Sequence, residues 1–281
     1  ISQRETRHDP RRVDVSVLWD RLVSIADEAA TALIRTSFST LVREGYDLSI
    51  FLFDAKGRML AQSTKCIPVF IGTAPTTLGA MLAKHPPGTL APGDVVISND
   101  PVVGTGHMFD IAVMRPVYRG ERLVGYAMSV THLPDIGGMG FSAAATEIYH
   151  EGLRLPIVKL VERGALKRDW LDLVALNVRV PEQVIGDIHA NLSAVAVAVR
   201  QLGELMTDYG LETLDALAEA ILGQSREAVE RALAAMPDGD YESETWVEAL
   251  GDRRLLRCRV EKRGARLAID FAGSGPCVAA G

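Results

Sequence analysis

A chain of 281 residues with 48% hydrophobic and 23% charged side chains holds enough apolar material for a sizeable core, arranged as one large or two modest domains. A net charge of −6 with no Lys/Arg block argues against nucleic acid and anionic membrane surfaces as partners. Three widely spaced cysteines, Cys66, Cys258 and Cys277, make neither a disulfide framework nor a Cys-x-x-Cys motif, which points to a reducing, cytoplasmic compartment; no apolar run approaches the roughly 18 residues needed to cross a bilayer.

Residues 1–12 are polar throughout, resembling neither a signal peptide nor an anchor, and read as an arm that orders on a partner. The missing initiator Met is expected from a trimmed or partial N-terminus. Asp14 or Ser16 can cap a helix whose apolar positions, from Leu18 through Leu22, Ile25 and Ala29 to Leu33, recur at helical spacing. After Ser39 the pattern changes to a hairpin, Leu48–Phe53 and Arg58–Ser63 about the turn Asp54-Ala-Lys-Gly57, with Asp47 at its mouth. An Asp before a strand is ordinarily a turn residue. A helix over 73–84, two Pro/Gly breakers and a strand Asp94–Ser98 lead to Asn99-Asp-Pro101 and a glycine-rich loop.

That loop opens the most informative stretch, where nearly the same phrase occurs twice: His107-Met-Phe-Asp110-Ile111 and His132-Leu-Pro-Asp135-Ile136. Between them, Ile111–Tyr118 and Arg122–Val130 read as strands about the turn Arg119-Gly120-Glu121. Folded antiparallel, residues whose numbers sum to about 240 face one another, which brings His107 and Asp110 within one or two residue spacings of His132. A single His-x-x-Asp is most often a turn-capping Asp beside a loop histidine. Two copies joined by one hairpin instead suit a divalent ion such as Zn²⁺, Mn²⁺ or Fe²⁺.

Beyond the hairpin, Glu147, His150, Glu151 and Arg154 have the spacing of a solvated helical turn with internal ion pairs, although a carboxylate there could also serve as a general base. Helices follow over Asp169–Asn177, Glu182–Tyr209 and Leu211–Met236, with Asp187 and Asn191 sharing a face that could pack against the metal loops or a partner. The tail alternates as strands over Tyr241–Ala249, Arg254–Val260 and Arg266–Phe271 and ends on a Gly/Ala run, which reads as an unfinished sheet. The expected class is α+β: antiparallel hairpins around a metal site, then a helical segment, then a further antiparallel sheet. The corresponding regions are 1–164, 165–236 and 237–281, the last incomplete.

The chain resembles the hydantoinase B family, which includes one subunit or half of ATP-dependent hydantoinases and 5-oxoprolinases and the related subunit of acetone and acetophenone carboxylases. The resemblance is co-linear over nearly the whole chain. It rests on Arg35-Thr-Ser-Phe-Ser39, Asp47-Leu-Ser, Pro92-Gly-Asp94, Asn99-Asp-Pro101, Gly104-Thr-Gly-His107-x-x-Asp110, His132-x-x-Asp135-Ile-Gly-Gly138, Glu147-Ile-x-x-Glu151-Gly-Leu-Arg154, Asn177-Val-Arg179-x-Pro181 and Gly186-Asp187. It implies a divalent metal, Zn or Mn, on Asp47, His107, Asp110 and His132; Asp47 is supplied by the resemblance alone. Asp135 then becomes a candidate to orient His132 or a bound water, or to act as general base, beside Glu147. Phe109 departs from the family's more familiar Leu-Pro-Asp, and His189 stands where Arg is expected.

No Gly-x-x-x-x-Gly-Lys-Ser/Thr loop and no dinucleotide fingerprint occurs. The resemblance places ATP and Mg on a separate hydantoinase A-type ATPase subunit, so a hetero-oligomer is expected. Its implied chemistry is hydrolysis of a cyclic amide phosphorylated on its carbonyl oxygen, by water whose pKa the metal lowers. Two alternatives remain at this point: carboxylation of a ketone on the same ligands, and a non-catalytic scaffold for the ATPase partner.

Overall fold

In the computed structural model, which describes residues 14–249 and 252–277, the Asp14 carboxylate accepts from the N–H of Ser16 and starts helix α1, Val15–Thr36. The arm expected over residues 1–12 and the turn at Gly251 lie outside the described residues. The short helix α2, Thr40–Arg43, leads into the hairpin of β1, Leu48–Asp54, and β2, Met59–Gln62.

Helix α3 spans Val69–Lys84, four residues more at its start than the expected 73–84, and it runs through Pro75. The extra turn forms because Phe70 and Ala74 share one buried face with Leu78 and Met81. Burial of that stripe outweighs the proline's lost N–H. Next come β3, Val95–Ser98, and the long hairpin of β4, Asp110–Arg119, and β5, Arg122–His132.

Two short strands, β6 over Val158–Glu162 and β7 over Ala165–Leu166, were not expected from the local pattern and form by pairing β6 onto β3. Helices α4, Arg168–Asn177, α5, Pro181–Asp208, and α6, Asp215–Ala235, follow, with Pro181 at the first turn of α5, where a missing N–H costs least. Strands β8, Gly239–Ala249, β9, Asp252–Arg263, and β10, Arg266–Asp270, complete the described chain.

The fold is α+β, and among the described residues every strand pair is antiparallel. One sheet has the order β2-β1-β5-β4-β3-β6-β7 and the other β10-β9-β8. Alternation sorts the large sheet's faces: Ile50, Leu52, Ile111 and Val113 meet α1, α4, α5 and the start of α6, whereas Phe51, Phe53, Met114 and Met128 meet α3. With both faces covered, β1 is buried along its whole length, so it reads as a mostly apolar run in which only Ser49 and the terminal Asp54 are polar.

The small sheet alternates differently. Glu242 and Glu244 pair with Arg257, and Asp240 with Arg259 and Arg263, on one face; Tyr241, Leu256, Leu267 and Ile269 are exposed on the other. No helix among the described residues is long and apolar enough to cross a membrane, and the three cysteines are free.

Candidate metal centre

The register of β4 with β5 sets Asp110 directly opposite His132, at the end of the hairpin away from its turn. The number sum is 242 there and 241 at the Gly120 turn, a one-residue difference that arises at an irregularity between Val117 and Tyr118. On the other side of β5, Leu48 of β1 pairs with Thr131, and the N–H of His132 donates to the Asp47 carbonyl (3.2 Å), carrying the ladder one residue further. Asp47, His132 and Asp110 therefore stand in a row across three adjacent strands, and register partners direct their side chains to one face. His107 closes the group from the loop before β4, where Gly106 turns the backbone with φ +98°.

The donor atoms converge. Asp110 Oδ2 is 3.3 Å from His107 Nε2, Asp110 Oδ1 is 3.4 Å from His132 Nδ1, and Asp47 Oδ2 is 3.8 Å from the same nitrogen. One donor atom from each of His107, Asp110 and His132 lies within 4.8 Å of the others. Burial lifts the Asp47 carboxyl above its ordinary value; the two imidazoles pull it back and Asp110 pushes it up.

His107 Nδ1 and Asp110 Oδ1 are buried without a hydrogen-bond partner. The His107 nitrogen that faces Asp110 is Nε2, so of these two it is Asp110 Oδ1, beside His132 Nδ1, that stands inside the group. A buried carboxylate oxygen without a hydrogen bond is costly unless a further group satisfies it. Two imidazoles with one or two carboxylates are a donor set suited to a divalent transition ion, so these four residues could hold one.

The imidazoles are packed between aromatic rings. Phe109 stacks on His132 with centroids 5.3 Å apart. Phe141 stands edge-on to His107 at 5.4 Å and to His132 at 5.3 Å while remaining 70% exposed itself. Sequence reading noted Phe109 only as a departure from a motif and gave Phe141 no role. No local periodicity marks Phe141; its position depends on how the preceding glycine loop folds. Gly138 in that loop has φ +57°, and a side chain there would run into the His150 carbonyl.

The two candidate proton-transfer groups each have other partners, and Asp135 lines a cavity together with His132. Asp135 Oδ1 accepts from Gly137 N (2.9 Å) and from the Arg179 guanidinium (3.0 Å), and its other oxygen accepts the Arg179 backbone N–H. It thus ties the glycine loop to the segment between α4 and α5, with both oxygens engaged. Glu147 pairs with His150 at 3.3 Å on the surface. The expected helical turn is a single 3₁₀ turn, Ile148–His150, preceded by an extended Glu147, so Glu147 and Glu151 do not share a face. Arg154 goes to Asp100 instead (2.7 Å), and Glu151 is the carboxylate that reaches the site, accepting from the N–H of Met108 beside His107 (2.8 Å).

On α5, Asp187 and Asn191 face inward as expected, and His189 is exposed. Asp187 accepts from the N–H groups of Phe38 (2.6 Å) and Ser39 (3.3 Å) at the start of α2, and Asn191 donates to Thr131 Oγ1 (2.9 Å), next to His132. Phe109 and Phe141 separate two cavities. One, of about 320 Å³, is lined by Thr105, His107, Ser142 and Glu151 besides the two rings; the other, of about 540 Å³, by His132, Pro134, Asp135 and Arg179.

Residues 11–281 match the family model for hydantoinase B/oxoprolinase. The chain belongs to that family. This hydantoinase B/oxoprolinase chain is 28% identical over 286 residues to the B-type subunit of a putative D-/L-hydantoinase of Pseudomonas sp. (strain NS671), a match covering 96% of this chain and 48% of the relative. Its backbone is similar to that in the crystal structure of the ATP-dependent caprolactamase from Pseudomonas jessenii, with a TM-score of 0.82 and 28% identity over 92% of this chain and 46% of that one. A nucleotide-free acetone carboxylase structure also gives a TM-score of 0.82, at 21% identity over 92% of this chain and 37% of that one, which is a likeness of fold. The chain spans about half the length of the curated hydantoinase relative it matches.

Proposed function

We propose that this chain is the metal-binding subunit of an ATP-dependent cyclic amide hydrolase, working with a hydantoinase A-type ATPase subunit that carries ATP and Mg. The observation that carries the reading is the row Asp47, His132, Asp110 across three strand ends, closed by His107, with the buried Asp110 Oδ1 lacking a hydrogen bond. The relatives' names support the substrate class: a hydantoinase and a caprolactamase both act on ring amides.

Asp47, His107, Asp110 and His132 would hold one Zn or Mn. Such an ion supplies a Lewis acid and a water of lowered pKa, which is what opening a ring carbonyl activated by phosphorylation requires. The residues around it orient and shield. The buried Asp110 carboxylate, between the two imidazoles, fixes their approach, and Phe109 stacked on His132 keeps bulk water off one ring face. Glu151 holds the His107 loop through the Met108 N–H and presents a carboxylate to the cavity.

Elemental analysis of the purified chain beside His107→Ala and Asp47→Ala tests the reading. About one equivalent of metal that both substitutions abolish supports it. A wild-type chain that takes up no Zn or Mn counts against the metal role and favours a scaffold. With the ATPase partner present, ATP turnover that depends on a ring amide and yields product without bicarbonate separates hydrolase from carboxylase.

A further inference from the structure

The cavity on the His107 side carries charge of one sign only. Its polar lining is Thr105, His107, Ser142 and Glu151, the rest being glycine, alanine and the rings of Phe109 and Phe141; no Lys or Arg is among them. The nearby cation, Arg179, lines the other cavity, and its guanidinium is already bound to Asp135 and to the carbonyls of Gly137 and Gly138. The carboxylates of Asp47 and Asp110 match the charge of a divalent ion, so filling the centre would add no net cation. A ligand carboxylate placed here would lose its hydration, find no counter-ion in the lining formed by the described residues and face Glu151.

We infer that the cavity between Phe141, Phe109 and Glu151 binds a small uncharged ring, such as an unsubstituted lactam or hydantoin, and discriminates against a ring that bears a carboxylate, such as 5-oxoproline. This rests on the cyclic amide reading above. The volume of about 320 Å³ lies at the small end for ligand pockets and suits a single ring. Phe109 and Phe141 present apolar surface to the ring, and Glu151 accepts from its amide N–H.

The test uses three probes on the purified chain after loading with Mn, its metal content measured on the same sample: pyrrolidinone, 5-oxoproline, and the neutral amide of 5-oxoproline, which matches the acid in size without its charge. Calorimetric titration should show saturable binding of both neutral rings and affinity for 5-oxoproline lower by about tenfold or more. Glu151→Gln, which keeps the acceptor for Met108, should narrow that gap by improving 5-oxoproline, and Phe141→Ala should weaken both neutral rings. Equal or tighter binding of 5-oxoproline, or no saturable binding of either neutral ring to a chain shown to contain metal, overturns the inference. A chain that takes up no metal yet still prefers the neutral rings would instead leave the cavity assignment standing and remove the metal role.

Discussion

Asp110 shows how much one side chain can decide: both its oxygens lie within 3.4 Å of an imidazole nitrogen, and one of them is buried without a hydrogen bond. Replacing it by Asn keeps the shape and removes the charge, so Asp110→Asn should weaken Zn or Mn affinity by at least about tenfold with little loss of fold, read by metal titration against circular dichroism. Arg179 makes the contrasting case. Arg179→Ala strips the guanidinium from the buried Asp135 carboxylate and frees the glycine loop, and should cost about 1–3 kcal/mol in urea unfolding while leaving the four donors in place. Asp47, His107, Asp110 and His132 could be named from the chain's own letters and its family likeness. Phe141 could not, and Glu151 could be read only as one of two carboxylates in its stretch, because their placement beside the His107 loop depends on a 3₁₀ turn and a positive-φ loop that leave no periodic trace.

At the scale of elements, α5 acts as the beam on which two strand ends are hung. Asp187 caps the segment leading through α2 to Asp47, and Asn191 holds Thr131 beside His132. Asp187→Ala leaves two N–H groups without an acceptor and should cost about 1–3 kcal/mol. It should also loosen metal binding through Asp47. Asp187→Asn, which keeps the acceptor oxygen, should recover most of both, and parallel unfolding and metal titrations of the two variants would show it. The helical spacing of Asp187 and Asn191 placed them on one face from sequence alone. What that face touches lies 60 residues away for Asn191 and 148 or 149 for Asp187, and could not be read locally.

The whole molecule layers helices on both faces of one antiparallel sheet, with the candidate centre joining β1, β4 and β5 at their ends. A ligand bound only by the folded state adds stability by mass action, about 2.7 kcal/mol when its free concentration is a hundred times Kd. Zn or Mn should therefore raise the melting temperature, chelation should reverse the rise, and His107→Ala should show neither effect in calorimetry. A second global property comes from Asp94 near the far side of the sheet. Burial alone would raise its carboxyl, but Lys159 at 2.8 Å and the N–H groups of Arg163 and Ala91 outweigh burial and hold it below its ordinary value. With the folded value below the unfolded one, its stabilisation is complete at neutral pH and is lost as pH falls through the folded value. Asp94→Asn should flatten that acid limb of the stability curve.

Sequence by itself determined the periodic and the repeated: the capped first helix, the two early hairpins, the long helices after Pro181, and the doubled His phrase whose register brings Asp110 opposite His132. These follow from local spacing, where a period of two or 3.6 residues and a turn glycine suffice. Tertiary structure decided what distant segments do to one another: that β1 lies beside β5 and so brings Asp47 into the row, that β6 and β7 extend the sheet, that Asp135 pairs with Arg179, and that Glu151 accepts from the Met108 N–H beside His107. Those outcomes depend on pairing and close packing between segments far apart in the chain, and such contacts exist only once the sheet has formed.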